Sequence, residues 1–128
     1  RGAIHQRTLA SIDNGWRVAD IILPFNKSDG KEHQACLTWL LPDWQWELEN
    51  GHQLHIEGPD FGFGLKIEGA VELNLFRAGE RLQGAMSPQP TWGWISPTYG
   101  VKQPALMCRA VISGKLPIRF QSTWIFGD

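Results

Sequence analysis

The feature of this sequence that most constrains its fold is a two-residue alternation of apolar and polar side chains. In WQWELE (44–49) the alternation is strict. Because successive side chains of a β-strand point to opposite faces, this pattern predicts a strand with one buried face. No stretch of the chain has the apolar spacing of an amphipathic helix. The same period of two recurs in IHQRTLAS (4–11), WRVADIIL (16–23), HQACLTWLL (33–41) and IRFQSTWIF (118–126).

Turn signals divide the chain into short segments of this kind. DNG (13–15) joins the first two segments, and ENG (49–51) and GKLP (114–117) separate later ones. About nine to ten short strands result, at the spacing that is typical of an antiparallel sandwich or barrel. In the segment 64–76, the alternation predicts these core positions: Leu65, Ile67, Val71, Leu73 and Leu75.

Length and composition restrict the partners. We expect residues 1–128 to form a single domain, and a fragment or processed form because the chain starts without Met. The 12 basic and 13 acidic residues are spread along the chain, which argues against a nucleic-acid partner. No apolar run is long enough for a transmembrane helix, and no signal peptide is visible. Cys36 and Cys108 are predicted to be buried free thiols, because both lie in strand-like runs.

Asp20 is a carboxylate on an apolar strand face. Its neighbours on that face are Trp16, Val18 and Ile22. An unpaired buried carboxylate is costly, so Asp20 needs a partner. We expect an ion pair with Arg7 of the first hairpin or hydrogen bonds from a loop.

A second interpretation of Asp20 is chemical. His5 could meet Asp20 across the same hairpin, and the two side chains would then belong to a metal or catalytic site.

The segment WGWISPTYGVKQPA (92–105) combines aromatic residues with turn-forming Pro and Gly. Trp92 and Trp94 could stack on a sugar, whereas Trp46 lies on an apolar strand face and is expected in the core. Tyr99, the only tyrosine, could abstract a proton next to a carboxylate. The third interpretation is a structural corner in which the Tyr99 hydroxyl bonds to backbone.

Five motifs occur in a defined order along the chain: IHQRTL, GWRVAD, EH leading into WLLP, WxSPxYGxxxPA and GxLPxxF. With this order and spacing the chain resembles the C-terminal β-sandwich of heparinase II/III-like polysaccharide lyases. The resemblance implies an all-β, antiparallel two-sheet sandwich. It also implies an upstream helical toroid domain, which would hold most of the catalytic residues, including a tyrosine base. This chain would therefore not catalyse alone.

The implied reaction is β-elimination on an acidic, uronate-containing polysaccharide such as a glycosaminoglycan. It requires neutralisation of the uronate carboxylate, abstraction of the C5 proton and protonation of the leaving oxygen. The resemblance makes His5 a candidate catalytic residue, and the candidate substrate-binding residues are Arg7, Trp92, Trp94 and Tyr99. An acidic polysaccharide favours the periplasm or the outside of the cell. The alternatives are a carbohydrate-binding module that uses exposed tryptophans and a purely structural interaction domain.

The resemblance also raises the question of zinc. Some members of the family hold a structural zinc through His, Asp and His, and His5 and Asp20 lie where two of these ligands would fall. The third ligand is expected just after Trp-Leu-Leu (39–41), where this chain has Pro42. Because two protein ligands rarely hold a structural zinc, we predict no tightly bound metal and no other cofactor.

Overall fold

Side chains along the strands alternate between the two faces of each sheet, as the sequence pattern predicts. The structure, a computed structural model, describes residues 3–24, 30–50, 53–69 and 72–127. Within these ranges the regular structure is entirely β, which confirms the predicted all-β fold class. In chain order the strands are β1 (Ala3–Ile12), β2 (Gly15–Pro24), β3 (Glu32–Leu41), β4 (Gln45–Glu49), β5 (Gln53–Glu57), β6 (Gly62–Glu68), β7 (Glu72–Arg77), β8 (Glu80–Gln83), β9 (Trp94–Ile95), β10 (Gln103–Pro104), β11 (Leu106–Lys115) and β12 (Ile118–Gly127).

Two antiparallel sheets make up the sandwich. The larger sheet has the order β1-β2-β12-β6-β5-β4, and the smaller has the order β3-β11-β7-β8. The last strand of the chain, β12, therefore lies between β2 and β6. Strands β9 and β10 form a separate pair of two residues each and account for the difference from the nine to ten strands predicted.

The core lies between the inner faces of the two sheets. Four of the five predicted core positions in the segment 64–76 belong to it, and the fifth, Val71, lies outside the described residues. Trp44 and Trp46 pack against the core, as the alternation of β4 predicts. The buried cluster consists of Leu37, Leu41, Leu54, Ile56, Phe63, Leu65, Ile67, Leu73, Leu75, Leu106, Cys108, Ala110, Ile118 and Phe120.

A long excursion, residues 84–105, covers the outer face of the smaller sheet. The Trp92 ring packs on Phe76, with ring centroids 4.9 Å apart. The backbone N–H of Met86 donates to the Oδ1 of Asn74 at 3.0 Å. Gly93 permits the close approach: its φ is 80°, and a Cβ there would lie 2.6 Å from the backbone nitrogen of Ala78. We call this segment the cover.

Both cysteines are free, as predicted, but only Cys108 is buried. The expectation of a buried thiol is wrong for Cys36. Cys36 projects from the outer face of β3, an edge strand, opposite Val111 in the register. The alternation of β3 places it away from the core. In the described part of the chain, no helix has the length and apolar character needed to cross a membrane.

Candidate functional site at the edge of the sandwich

The hairpin of β1 and β2 brings Arg7 directly opposite Asp20. Asp20 is only 2% exposed. The Nε of Arg7 donates to Asp20 Oδ1 at 2.7 Å, and its Nη2 donates to Oδ2 at 3.4 Å. The pairing with Arg7 that the apolar strand face predicts is therefore confirmed. It gives the buried carboxylate a counter-ion and hydrogen bonds.

His5 reaches the same carboxylate from two residue pairs further along the hairpin, on the same face. Its Nε2 lies 2.7 Å from Asp20 Oδ1, and its side chain is 50% exposed. An ionised carboxylate only accepts hydrogen bonds, so Nε2 carries the proton and donates the hydrogen bond to Asp20. In neutral His5, the basic nitrogen is then Nδ1. The carboxylate thereby fixes the imidazole tautomer, as in the His–Asp element of hydrolytic active sites, but through Nε2 rather than Nδ1.

A tryptophan of the other sheet completes this arrangement. The Arg7 guanidinium lies over the Trp39 ring, 4.7 Å from its centroid. The Nε1 of Trp39 donates to the Oγ of the fully buried Ser122 at 3.2 Å. These contacts join β3 of the smaller sheet to β1 and β12 of the larger sheet. We call His5, Arg7, Asp20, Trp39 and Ser122 the edge cluster.

An apolar pocket of about 320 Å³ adjoins the edge cluster. Trp16 is 47% exposed there, and Leu9 is 61% exposed. Both belong to inner faces, Leu9 on the edge strand β1 and Trp16 at the start of the adjacent strand β2, and neither side chain is fully covered. The alternation identifies the face on which a side chain lies but not whether another strand buries it. The sequence therefore did not single out Trp16 as an exposed indole. The pocket is lined by Arg7, Leu9, Trp16, Val18, Trp39, Trp124 and Phe126.

The predicted aromatic residues of 92–105 lie elsewhere, on the opposite side of the smaller sheet from Trp39. The Trp92 ring has the Arg109 guanidinium 4.2 Å from its centroid. The Nε1 of Trp94 donates to the Pro90 carbonyl at 3.0 Å, and the Lys102 ammonium lies 4.4 Å from the ring centroid. The structure therefore brings His5, Arg7 and Asp20 together and separates them from Trp92 and Trp94.

Tyr99 lies at the tip of the cover and is fully exposed. Its hydroxyl makes no hydrogen bond within the part of the chain that the structure describes. The expected corner hydrogen bond of Tyr99 is therefore wrong. Ser96 holds the turn instead, because its Oγ lies 2.9 Å from the Thr98 carbonyl oxygen and 2.7 Å from that of Val101.

The edge cluster does not fit the structural zinc that the resemblance implies. Both carboxylate oxygens of Asp20 already accept hydrogen bonds from Arg7, whose guanidinium supplies the positive charge a metal would bring. Pro42 carries no ligand atom. Across the described ranges, no three His, Cys, Asp or Glu side chains come together in a way that could hold a metal ion. The predicted lack of tightly bound zinc stays a prediction for metal analysis of the purified protein.

Comparison with known proteins identifies a solved structure that has this architecture. No family model and no curated protein matches the chain. A solved structure of heparinase III with methylated lysines matches with a TM-score of 0.73 over 99% of this chain, at 11% sequence identity. The match covers 18% of the heparinase III chain, so this sequence spans less than a fifth of its length. The chain thus has the fold of a heparinase-like β-sandwich domain.

Proposed function

We propose that this chain is the β-sandwich domain of a heparinase II/III-like polysaccharide lyase, which cleaves uronate-containing polysaccharide by β-elimination. The observation that carries the proposal is the fold match over 99% of the chain to 18% of heparinase III. The order of the five sequence motifs supports it independently. The remainder of such an enzyme, including the helical toroid domain, would supply the other catalytic groups.

The edge cluster is the part of this domain that suits the chemistry. The His5 side chain is half-exposed and Asp20 holds its Nε2, which leaves Nδ1 as the nitrogen for proton transfer. Arg7 uses Nε and Nη2 on Asp20 and has Nη1 left to meet a substrate carboxylate. Because Asp20 balances the charge of Arg7, we expect Arg7 to orient a uronate rather than to provide most of its binding energy.

The domain is not expected to cleave polysaccharide alone. β-Elimination needs a base at C5 and an acid at the leaving oxygen, and the edge cluster offers one imidazole for these tasks. Tyr99, the one tyrosine of the chain, lies on the other side of the smaller sheet from Trp39. The tyrosine base would come from the toroid domain. The exposed apolar pocket beside Arg7 is the kind of surface that a neighbouring domain or a sugar would cover.

A carbohydrate-binding module without lyase activity is the second candidate. One observation favours it, namely the half-exposed Trp16 beside Leu9, which offers an apolar platform next to a charged group. In this version Trp16 serves as the platform instead of Trp92 and Trp94. The two candidates differ in outcome, because the module would bind a polysaccharide and leave it intact.

The test compares the 128-residue chain with the full-length protein that contains it. Heparan sulfate, alginate and polygalacturonate are the probes, and the readout is the ultraviolet absorbance of the unsaturated product. We expect the full-length protein to cleave one of them and the isolated chain to cleave none. In the full-length protein His5→Ala should lower kcat by about 100-fold or more.

Gln6→Ala is the matched control for His5→Ala, because Gln6 lies on the same strand and points to the opposite face. Its kcat should stay at the wild-type value. Cleavage by the isolated chain, or an unchanged kcat in His5→Ala, would contradict the proposed role. Binding by a full-length protein that cleaves none of the probes would favour the second candidate.

A further inference from the structure

A second concave surface lies on the outer face of the larger sheet, away from the edge cluster. It has a volume of about 990 Å³ and runs along β6. Its floor is backbone, because the outward positions of β6 at this point are Gly62 and Gly64. At Gly64 an added Cβ would meet only ordinary contacts, the nearest being His55 Nδ1 at 3.7 Å. We call this surface the glycine trough.

The two walls of the glycine trough differ in character. His55 and Ile125 face each other across Gly64 in the sheet register. They are two strand spacings apart, which is roughly 9–10 Å. The wall on β5 is polar and continues from His55 to Gln53 and Glu57, whereas Ile125 on β12 is 45% exposed and apolar.

Named side chains also lie at the two ends of the glycine trough and hold its polar wall in place. Phe61, 51% exposed, lies at one end of the trough, and its ring packs edge-on against Trp44 at 5.2 Å. Lys66 lies at the other end. The imidazole of His55 is held by Glu49, with Nε2 and Oε1 2.9 Å apart. The polar wall is therefore partly ordered before any ligand arrives, which lowers the entropy cost of binding.

This arrangement matches the two-sided chemistry of a pyranose. A sugar ring has C–H faces that pack on exposed apolar side chains and a rim of hydroxyls that need donors and acceptors. Phe61 and Ile125 supply the apolar contacts, and the β5 wall supplies hydrogen-bonding groups. A binding site of this type combines an apolar lining with a few placed polar groups.

The charges of the glycine trough select among sugars. Among the described lining residues, the carboxylates of Glu57 and Asp60 face one ammonium, that of Lys66, and Glu49 is hydrogen-bonded to His55. A uronate would bring a further negative charge to this surface and would be repelled. We propose that the glycine trough binds a neutral pyranose unit of a glycan, at a site separate from the edge cluster.

The test uses the 128-residue chain, isotope-labelled for amide NMR, titrated with cellotetraose, chitotetraose and tetragalacturonate. One of the two neutral tetramers should shift the amides of β5, β6 and β12 around Gly64, and tetragalacturonate should not shift them. Gly64→Val should weaken that binding by about tenfold or more, because its side chain fills the floor. Gly114→Val is the matched control, since Gly114 is also a strand glycine and a Cβ there meets nothing within 4 Å. Its affinity should stay within about twofold of wild type.

The outcomes separate this proposal from the proposed lyase function. It is overturned if neither neutral tetramer shifts the trough amides, if Gly64→Val binds like wild type while folded, or if tetragalacturonate binds the trough as tightly. Thermal midpoints of both valine variants establish that they fold. Failure of the lyase function would instead appear in the cleavage assay, which none of these titrations affects.

Discussion

Two arginines of this domain lie over tryptophan rings, and their surroundings differ. Arg7 lies 4.7 Å from the Trp39 centroid at the open edge, and Arg109 lies 4.2 Å from the Trp92 centroid under the cover. Each has a fully buried polar residue as its cross-strand partner: Asp20 for Arg7 and Asn74 for Arg109. Arg7 hydrogen-bonds to its neighbour, whereas the buried Nε of Arg109 and Nδ2 of Asn74 lack partners in the described part of the chain.

The comparison shows that stacking of an arginine on a tryptophan does not by itself mark a site. Under the cover the stack fills space, and two buried donors without acceptors cost stability. At the edge the same stack orients a charged group that solvent and ligands can reach. What distinguishes the edge is the carboxylate of Asp20 together with the exposure of His5.

The largest expected effect concerns the two faces of the smaller sheet, its outer face at β3 and its inner face in the core. Cys36 is exposed on the outer face of β3, whereas Cys108 is buried and its burial raises the pKa of its thiol to about 12. A thiol reagent should modify Cys36 at least about 100-fold faster than Cys108 in the folded protein, because only thiolate reacts. Mass spectrometry of the time course measures both rates. Modification of Cys36 as slow as that of Cys108 would mean that the cover also shields the outer face of β3.

The next largest effect is on the free energy of unfolding. Asp20→Ala removes the partner of Arg7 and His5 and should destabilise the domain by roughly 2–3 kcal/mol, less than for a fully buried pair because Arg7 is partly exposed. Asn74→Ala should cost only about 1 kcal/mol, because one of its polar groups already lacks a partner. Urea unfolding followed by tryptophan fluorescence compares the two. A larger loss in Asn74→Ala would reverse the contrast between the regions.

Replacing each arginine by lysine sharpens the same contrast. Arg7→Lys keeps the charge and loses the forked geometry on Asp20, so we expect a loss of about 1–2 kcal/mol. Arg109→Lys loses no such pair and should cost about 0.5–1 kcal/mol. The same unfolding experiment measures both. If the two costs are equal, the ion pair at the edge contributes nothing beyond the stack.

The smallest effect comes from an exposed pair of similar geometry. Arg77 donates to both oxygens of Asp43, at 2.7 and 2.8 Å. The hydrogen bond from Arg77 lowers the pKa of Asp43 below its usual value of 3.8. The stabilisation from this pair is therefore present above that value and is lost as the pH falls through the lower pKa of the folded state.

The check is the free energy of unfolding from about pH 7 to about pH 3 in wild type and Arg77→Met. The variant should lose slightly less stability on acidification, because its Asp43 has no favourable partner to lose. Identical pH profiles would mean that the exposed pair makes no contribution, which is common for surface ion pairs.

Local sequence patterns predicted the hairpin half of the edge cluster. The turn at Asp13 and Asn14, with Asn14 at a φ of 64°, fixes the register that sets Arg7 opposite Asp20. An apolar strand face carrying one carboxylate then required a partner, and the hairpin supplied Arg7 and His5. These contacts lie within twenty residues of one another, where alternation and turn chemistry determine geometry.

Contacts between distant segments could not be predicted in this way. Trp39 and Ser122 are 83 residues apart, and no local pattern places one on the other. The cover also escaped prediction, because its Pro and Gly residues indicate turns but not the surface they lie on. Cys36 lies on an edge strand and Trp16 on the strand next to an edge, and their exposure depends on this sheet order and not on any single segment.

The central position of β12 has a consequence for how the chain is made. On the ribosome the hairpin of β1 and β2 emerges early, as do β4, β5 and β6, yet the larger sheet cannot join these halves until residues 118–127 have been synthesised. Until then β2 and β6 each present an unpaired edge, the form of backbone that most readily recruits a foreign strand. The nascent domain is thus most exposed to aggregation just before β12 leaves the exit tunnel.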